Sequence, residues 1–472
     1  MNYSQIKEMR KAHKISQIKL AEASGYSPAK ISSWELEKSQ PEEADLSILW
    51  ESLNKIILNI ETGKFDVRKK RITQSNTKKA LPRTIKTAAE YRKMLPSKEC
   101  KPECPYRDYL TTLNEKAVSP KKDTAPKVIA LFSGCGGLSL GFAASGFKLV
   151  GHLDIEDSAN KIYDANFQNS ALLGTDICAL TDEKINSWKK LYGNIDILIG
   201  GPPCQGFSLA GKRDPEDMRN QLYKYYAHIV DLIRPKIFVM ENVKLLTSMK
   251  TKSGSFFIDD IQKSFCSLGY TITISVVNAQ DYGVPQSRER VILVGVRNDL
   301  PQGKFEFPNG KYTREVKDQG YFKWRTFRDA TCDLQPLESG EQSNDPLHWT
   351  INHPAHVTKW LKNVPEGCSA HNNADPALRP PSGFNTTYKR IAWDEPSSTI
   401  STNFSMISGC RNVHPTSTRS LTIREAARAQ SFPDEFIFIG KWGDIRKAIG
   451  NAVPPILAKN IADAIKNQYF RD

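Results

Sequence analysis

The 472-residue chain has no run of about 18 apolar residues, so no membrane span is expected. Its opening, Met1-Asn2-Tyr3-Ser4-Gln5, leads into a charged helical pattern without the apolar core of a signal peptide. Cysteine is thin, nine in the whole chain and an odd number. Without an export signal that fits reduced thiols and a cytoplasmic protein, not a disulfide scaffold. Cys100 and Cys104 are a lone close pair with no second pair nearby, so no metal site is expected. No internal repeat is present. Acidic residues are also short: 52 against 66 Lys and Arg leave a formal charge of +14, which points to a polyanionic partner, nucleic acid above all. With 39% hydrophobic and 25% charged residues, a globular core is expected and general disorder is excluded.

Residues 1–65 read as a small all-helical unit. Ile6, Met9 and Leu20 recur at helical spacing, and Ser16 opens a second helix. Ser27 can cap a third helix, with Pro28 at its first position and Ile31 and Trp34 on its inner face. Glu42-Glu43-Ala44-Asp45 starts a fourth. On Arg10, Ser16, Gln17, Leu20, Ala21, Ile31, Trp34, Glu35 and Pro41, this unit resembles the Cro/phage-repressor type of helix-turn-helix. The resemblance implies that Ser27, Ala29, Lys30 and Ser33 face a DNA major groove. Residues 66–126, rich in lysine and proline, read as a basic linker with short helices near Ala88 to Met94.

From 127 the pattern alternates. Strand candidates are Val128–Phe132, Leu149–Leu153, Ile195–Ile199, Ile237–Met240 and Val291–Val296; helical stretches such as Ser158–Asn166 and Leu222–Ile233 lie between them. That alternation predicts a doubly wound α/β domain over 127–302. Residues 303–415 break it with aromatic, polar and proline-rich sequence and read as a smaller inserted domain; helices return over 416–472 to complete the first.

Two loops at strand ends carry chemistry. Phe132-Ser133-Gly134-Cys135-Gly136-Gly137 lets a backbone approach a ligand at a helix N-terminus. Asp154, at the end of the next strand, stands where an adenosyl ribose finds its hydroxyl partner, and Asp176 suits an adenine amino group. Either acid alone reads first as a helix cap. Pro202-Pro203-Cys204-Gln205 presents a thiol at the carboxyl end of a strand, where open α/β sheets bind ligands.

The blocks stand in a definite order: the glycine loop, Pro202-Pro203-Cys204-Gln205, Glu241-Asn242-Val243, Gln286-Ser287-Arg288-Glu289-Arg290, Leu421-Thr422-Ile423-Arg424-Glu425-Ala426-Ala427 and Gly450-Asn451-Ala452-Val453-Pro454-Pro455. In this order, residues 127–470 resemble the DNA cytosine-5 methyltransferases, a family that uses S-adenosylmethionine. Two departures are Ala130, where many members carry aspartate, and Asp154, where glutamate is more usual. The resemblance implies a Rossmann-like methyltransferase domain with an inserted target-recognition domain. It implies that Phe132, Gly134, Gly136, Asp154, Ile155, Asp176, Leu222 and Asn451 surround the donor.

Carbon 5 of cytosine is a poor nucleophile until a thiolate adds to carbon 6. The resemblance gives that role to Cys204, the role of acid at N3 to Glu241, backbone support to Asn242, and a part in reaching the ring or placing Glu241 to Arg290, with Arg288 in support. A bound water is expected to take the carbon 5 proton. The base must be extruded from a duplex, and Gly206 to Arg213 suits a closing loop.

The reading that follows is a methyltransferase acting on double-stranded DNA, its mark protecting sites from a partner restriction endonuclease, its helix-turn-helix acting on its own promoter. An RNA (tRNA) cytosine-5 methyltransferase is the alternative, and a repressor with a dead enzyme domain a third; the inserted region opposes the second, the intact catalytic set the third.

Overall fold

The computed structural model describes residues 3–13, 15–36, 39–61, 84–96, 102–203, 221–251, 254–316, 318–409 and 411–470. Cys204, Cys100 and the loop residues Gly206 to Arg213 lie outside that set. Two compact units divide the chain, Met1–Ala80 and Leu81–Asp472.

The first unit holds, among its described residues, α1 (Tyr3–Ala12), α2 (Gln17–Ser24), α3 (Pro28–Glu35) and α4 (Glu43–Glu61). Capping sets two of the boundaries. Ser16 accepts the N–H of Lys19, and Ser27 that of Lys30 at 3.2 Å, with Pro28 where a missing N–H matters least. Ile6, Leu20, Ile31, Trp34, Leu49 and Leu53 form the core. Beneath it, Arg10 donates to both oxygens of Glu35 (2.8 and 3.0 Å), and Gln17 Nε2 donates to Oε2 at 2.8 Å. That buried fork locks α1, α2 and α3 together, and it explains why Arg10, Gln17 and Glu35 carry the sequence resemblance.

In the second unit, β1 (Thr84–Ile85), α5 (Ala88–Met94) and α6 (Pro105–Val118) precede the sheet. These elements fall inside the stretch that reads as a linker, and the structure makes them part of the core. Ile85, Tyr91, Tyr106, Leu110 and Leu113 are buried. Tyr91 and Tyr106 donate their hydroxyls to the carbonyls of Asp434 and Arg428, over 300 residues away. Cys104, Cys332 and Asp333 converge within 4.8 Å, but the Asp333 carboxylate is held by Arg107 and Arg428, so this is a packing point.

The sheet contains β2 (Lys127–Leu131), β3 (Lys148–Leu153), β4 (Ala171–Gly174), β5 (Ile197–Gly200), β6 (Ile237–Val243), β7 (Tyr270–Asn278) and β8 (Glu289–Arg297). Their order is β4-β3-β2-β5-β6-β8-β7. All neighbours are parallel except at β8, which runs antiparallel to β6 and β7. The crossovers are α7 (Gly137–Ala144), α8 (Asp157–Asn166), α9 (Asp182–Tyr192), α10 (Leu222–Ile233) and α11 (Phe257–Ser267). β2, β5 and β6 are apolar almost throughout and buried, as strands covered on both faces must be. The chain leaves β2 toward β3 and β4, then returns on its other side to β5. That reversal opens a crevice at the strand carboxyl ends, the position at which such sheets bind ligands.

Residues 303–415 contain β9 (Tyr312–Thr313), β10 (Phe322–Lys323), α12 (Phe327–Thr331) and α13 (Ala355–Leu361), and are otherwise largely loops. Buried Arg390 holds those loops, donating to the carbonyls of His414, Ser417 and Leu361 at 2.7–2.8 Å. Val357, Leu361, Tyr388, Ile407 and Val413 make a small separate core, while Phe327, Ile391, Ile400 and Phe404 join the main one. α14 (Ile423–Ala429), β11 (Gly440–Lys441), α15 (Trp442–Asn451) and α16 (Pro455–Tyr469) then close the domain. α16 packs on α7 so closely that a Cβ on Gly141 would lie 2.5 Å from Ala458 and Lys459.

Candidate active site

A cleft of about 1210 Å³ opens at the carboxyl ends of β2, β3, β5 and β6. Its floor is the glycine loop after β2. Phe132 has φ +52, a conformation that a bulky residue adopts only under constraint, and Gly134 has φ +54 with nothing within 4 Å of a built Cβ. The backbone is therefore bare toward the cleft at Gly134. Gly136 does not line the cleft: its φ is +96, it caps α7, and a Cβ would strike the Phe167 ring at 2.4 Å. Gly136 thus packs the loop against α8 and its following turn.

Asp154 ties backbone together at the cleft. Its Oδ2 accepts the Gly134 N–H at 2.7 Å and its Oδ1 the Glu156 N–H at 2.9 Å, so it pins the glycine loop to the end of β3. Burial pushes its carboxyl up, against the pull of those two N–H groups. Asp176 is likewise a cap, accepting the Cys178 N–H at 2.9 Å, on the cleft wall. Ile155 (70% exposed), Phe132 and Leu222 add apolar surface, and Asn451 arrives from the end of α15. At the rim Lys447 Nζ meets Glu156 at 2.7 Å. The pair was missed from sequence, although Lys447 lies four residues before Asn451 on α15 and so shares its face.

Donor fit is supported by the loop itself. Ser133 Oγ is buried at the cleft without a partner among the described residues, and Gly134 leaves room beside it for a ligand atom. An acid beside a bare glycine backbone and an apolar wall suits an adenosyl group carrying a positive centre.

The opposite wall holds the acid. Glu241 is the fifth residue of β6 and lies across from Ile292, while Val243 lies across from Arg290. The antiparallel register brings Arg290 Nε to 2.8 Å from Glu241 Oε1, both side chains nearly buried. Oε2 lies over Gly201: a Cβ there would sit 3.0 Å from it. Asn242 Nδ2 donates to the Pro202 carbonyl at 2.8 Å, and its Oδ1 accepts the Val243 N–H at 2.9 Å. The amide thus fastens the Pro202-Pro203 segment to β6, immediately before Cys204, which itself lies outside the described residues.

Arg288 supports this wall from behind. It is fully buried and donates to the carbonyls of Ile400 (3.0 Å) and Gly450 (2.9 Å). Burial, with the charge of Arg290, pulls its pKa well down. Gln286 Oε1 accepts the Ile400 N–H at 2.8 Å, and its Nε2 donates to Gln430, which donates on to the Ile449 carbonyl. These bonds seat Ile400–Asn403 and Asn451 on the cleft.

Of the helix-turn-helix residues, Ser27 is exposed and caps α3. Lys30 reaches solvent, but its Nζ stacks over Tyr26 and Trp34 (4.7 and 4.8 Å) and lies 3.7 Å from Asp45. Ser33 Oγ is 2.8 Å from Ser39 Oγ. Ala29 is on the same helix, with its side chain outside the description.

Comparison with known proteins agrees with this geometry. Residues 126–467 match the family of C-5 cytosine-specific DNA methylases, and residues 6–55 the helix-turn-helix family. The chain is 37% identical over 341 residues to the Type II methyltransferase M1.HphI of Haemophilus parahaemolyticus, covering 71% of this chain and 86% of that protein. It is 34% identical over 387 residues to the Type II methyltransferase M.DdeI of Desulfomicrobium norvegicum, covering 73% and 89%. A solved Escherichia coli structure, described as a DNA modification methyltransferase encoded within a prophage, superposes with a TM-score of 0.55 at 27% identity, covering 73% of this chain and 99% of that one. The fold, the ordered blocks and a match across the whole sheet domain lead to one conclusion: this chain belongs to the C-5 cytosine-specific DNA methylase family.

Proposed function

We propose that the chain transfers a methyl group from S-adenosylmethionine to carbon 5 of a cytosine within a specific double-stranded DNA sequence, with Cys204, Glu241 and Arg290 as its catalytic residues. The observation that carries the reading is the Glu241–Arg290 pair, set in one cleft with the glycine loop and tied through Asn242 to the segment that leads into Cys204. Phe132, Gly134, Asp154, Ile155, Asp176, Leu222 and Asn451 would hold the donor, which supplies an electrophilic methyl group.

The chain's own residues do the rest. The Cys204 thiolate adds to carbon 6 of the extruded base, forming a C–S bond and passing the electron pair of the ring double bond toward carbon 5. Arg290 fixes one oxygen of Glu241 and turns the other toward Gly201, where as the acid it donates its proton in a hydrogen bond to N3 and so offsets the negative charge that builds there. Asn242 fixes the backbone from which the thiol approaches. After methyl transfer, water takes the carbon 5 proton, the double bond reforms and the thiolate leaves.

A duplex carrying 5-fluorocytosine cannot lose that proton, so it traps the adduct. Wild type with donor and such a duplex is expected to give a covalent complex that Cys204→Ser does not. Bisulfite sequencing of DNA from expressing cells would identify the site. No complex and no cytosine protected from conversion would refute the reading.

The names of the relatives support a restriction–modification role, in which the mark protects DNA from a partner endonuclease. The first 65 residues carry nine Lys and Arg against nine Asp and Glu, whereas residues 66–126 carry 16 against seven. The helix-turn-helix unit is therefore neutral, and its contribution on promoter DNA would come from shape and base contacts more than from charge.

A further inference from the structure

Several aromatic and cationic side chains of the inserted region are engaged within the second unit. Arg390 is buried on three carbonyls, His348 is buried against Thr422 and the Gln335 carbonyl, and Arg325 lies over the rings of Tyr106, Tyr109 and Tyr312. Three aromatics of the region are exposed among the described residues, Tyr321, Phe322 and Phe384. Phe384 is 80% exposed, more than any other large hydrophobic among the described residues.

Its turn is held in place. The Thr387 N–H and Oγ1 donate to the Phe384 carbonyl at 2.8 and 2.9 Å, His371 Nε2 lies 3.1 Å from the same hydroxyl, and Ser369 Oγ donates to the Thr387 carbonyl at 2.7 Å. Tyr388, the next residue, turns inward to pack in the small core with Ile407, and its hydroxyl bonds Ser408. Ile407 and Ser408 lie on a second turn, over residues 403–409; there Met406 is 51% exposed, and its N–H donates to the carbonyl of Asn403, a cleft-wall residue. A continuous set of contacts therefore runs from the cleft wall to the Phe384 turn. Arg379 and Arg411 flank the two turns in the chain, both exposed, as suits phosphate contacts.

An apolar aromatic held out on an ordered turn is the arrangement of an anchor, since little conformational freedom remains to be lost on contact. We propose that Phe384 is a sequence-reading residue of this enzyme, packing against a base that flanks the target cytosine in the duplex. The inference rests on the DNA methyltransferase reading above.

The test compares wild type, Phe384→Ala, Phe384→Leu and Leu191→Ala. Leu191 is exposed too, at 70%, but lies near the amino end of β5, at the opposite end of the strands from the cleft. Duplex affinity, donor affinity by calorimetry and the bisulfite profile of flanking bases are measured for each. Phe384→Ala is expected to weaken duplex binding about 10-fold or more and to relax preference at one or two positions beside the cytosine. Phe384→Leu should fall between it and wild type. Leu191→Ala should match wild type, and donor affinity should hold throughout. Phe384→Ala with wild-type affinity and profile would overturn the inference, as would weaker binding with an unchanged profile at every position. If wild type methylates no DNA at all, the enzymatic reading fails instead.

Discussion

Asn242→Asp changes one donor into an acceptor and leaves the side-chain shape almost intact. Asn242 is buried; its Oδ1 accepts the Val243 N–H, and its Nδ2 meets the Pro202 carbonyl at 2.8 Å. In the variant a carboxylate oxygen faces that carbonyl. The lost hydrogen bond, with the carbonyl left unpaired, costs about 1–3 kcal/mol. The buried charge adds to this and can be relieved only by taking up a proton. If the folded-state pKa rises by about two units above the usual 3.9, that alone is about 2.7 kcal/mol at neutral pH. A raised acid destabilises the fold fully above its folded pKa, and the penalty disappears as pH falls toward the unfolded value. The stability gap to wild type should therefore be about 4–6 kcal/mol at pH 8 and should narrow by about 2.7 kcal/mol between about pH 6 and 4. Asn242→Ala removes the donor without adding charge, so its gap should not depend on pH. Urea unfolding at several pH values measures both gaps, and the rate of adduct formation with a 5-fluorocytosine duplex reports the segment before Cys204. A displacement of that segment by about 1 Å is enough to slow trapping about 100-fold, with donor affinity unchanged. Wild-type trapping rates in both variants, or a pH-independent gap for Asn242→Asp, would refute the argument.

Two further outcomes follow from the geometry. In Gly450→Ala the new Cβ would lie 2.4 Å from Thr402 N and 2.5 Å from Ser401 C, so backbone must move; a loss of about 1–3 kcal/mol and weaker donor binding through Asn451 are expected, and a normal melting temperature with normal donor affinity would contradict this. Burial lowers His152 to about 4 and His414 to about 3, and the Arg419 charge beside Glu425 holds that carboxyl far below its usual range. Buried neutral histidines stabilise the fold above about pH 6.5 and lose that contribution as pH falls toward their folded values, so the urea midpoint should drop steadily from pH 7 to 4; a flat profile would show that these groups do not report on folding.

Much of the fold was legible because local signals agreed with it. Ser16 and Ser27-Pro28 mark the helix starts of the first unit, and the β2, β5 and β6 runs are apolar because both sheet faces are covered. α6 was hidden by composition: Tyr106, Leu110, Leu113 and Ala117 make a helical stripe, but among charges in a lysine-rich stretch it reads as linker. β7 alternates Thr with Ile and is half-buried at the sheet edge, a weaker signal than an apolar run. Within the site, residue types were readable and bonding was not. The acid Asp154 is visible in sequence, but its grip on Gly134 depends on β2 and β3 lying side by side. The Glu241–Arg290 pair likewise needs the antiparallel register of β6 and β8, which no spacing along the chain reveals.

The packing of α16 on α7 has a consequence during synthesis. Ser145, at the end of the helix that follows the glycine loop, donates to the Lys459 carbonyl 314 residues later. Until α15 and α16 emerge from the ribosome, Gly450 and Asn451 are missing from the cleft and the apolar face that α16 covers on α7 stays bare. A fragment ending before α15 keeps the helix-turn-helix and the Pro202-Pro203-Cys204 segment, yet it lacks part of its donor wall and exposes a sticky helix. Translation stopped at that point is therefore expected to leave a chain that binds donor weakly and aggregates through α7.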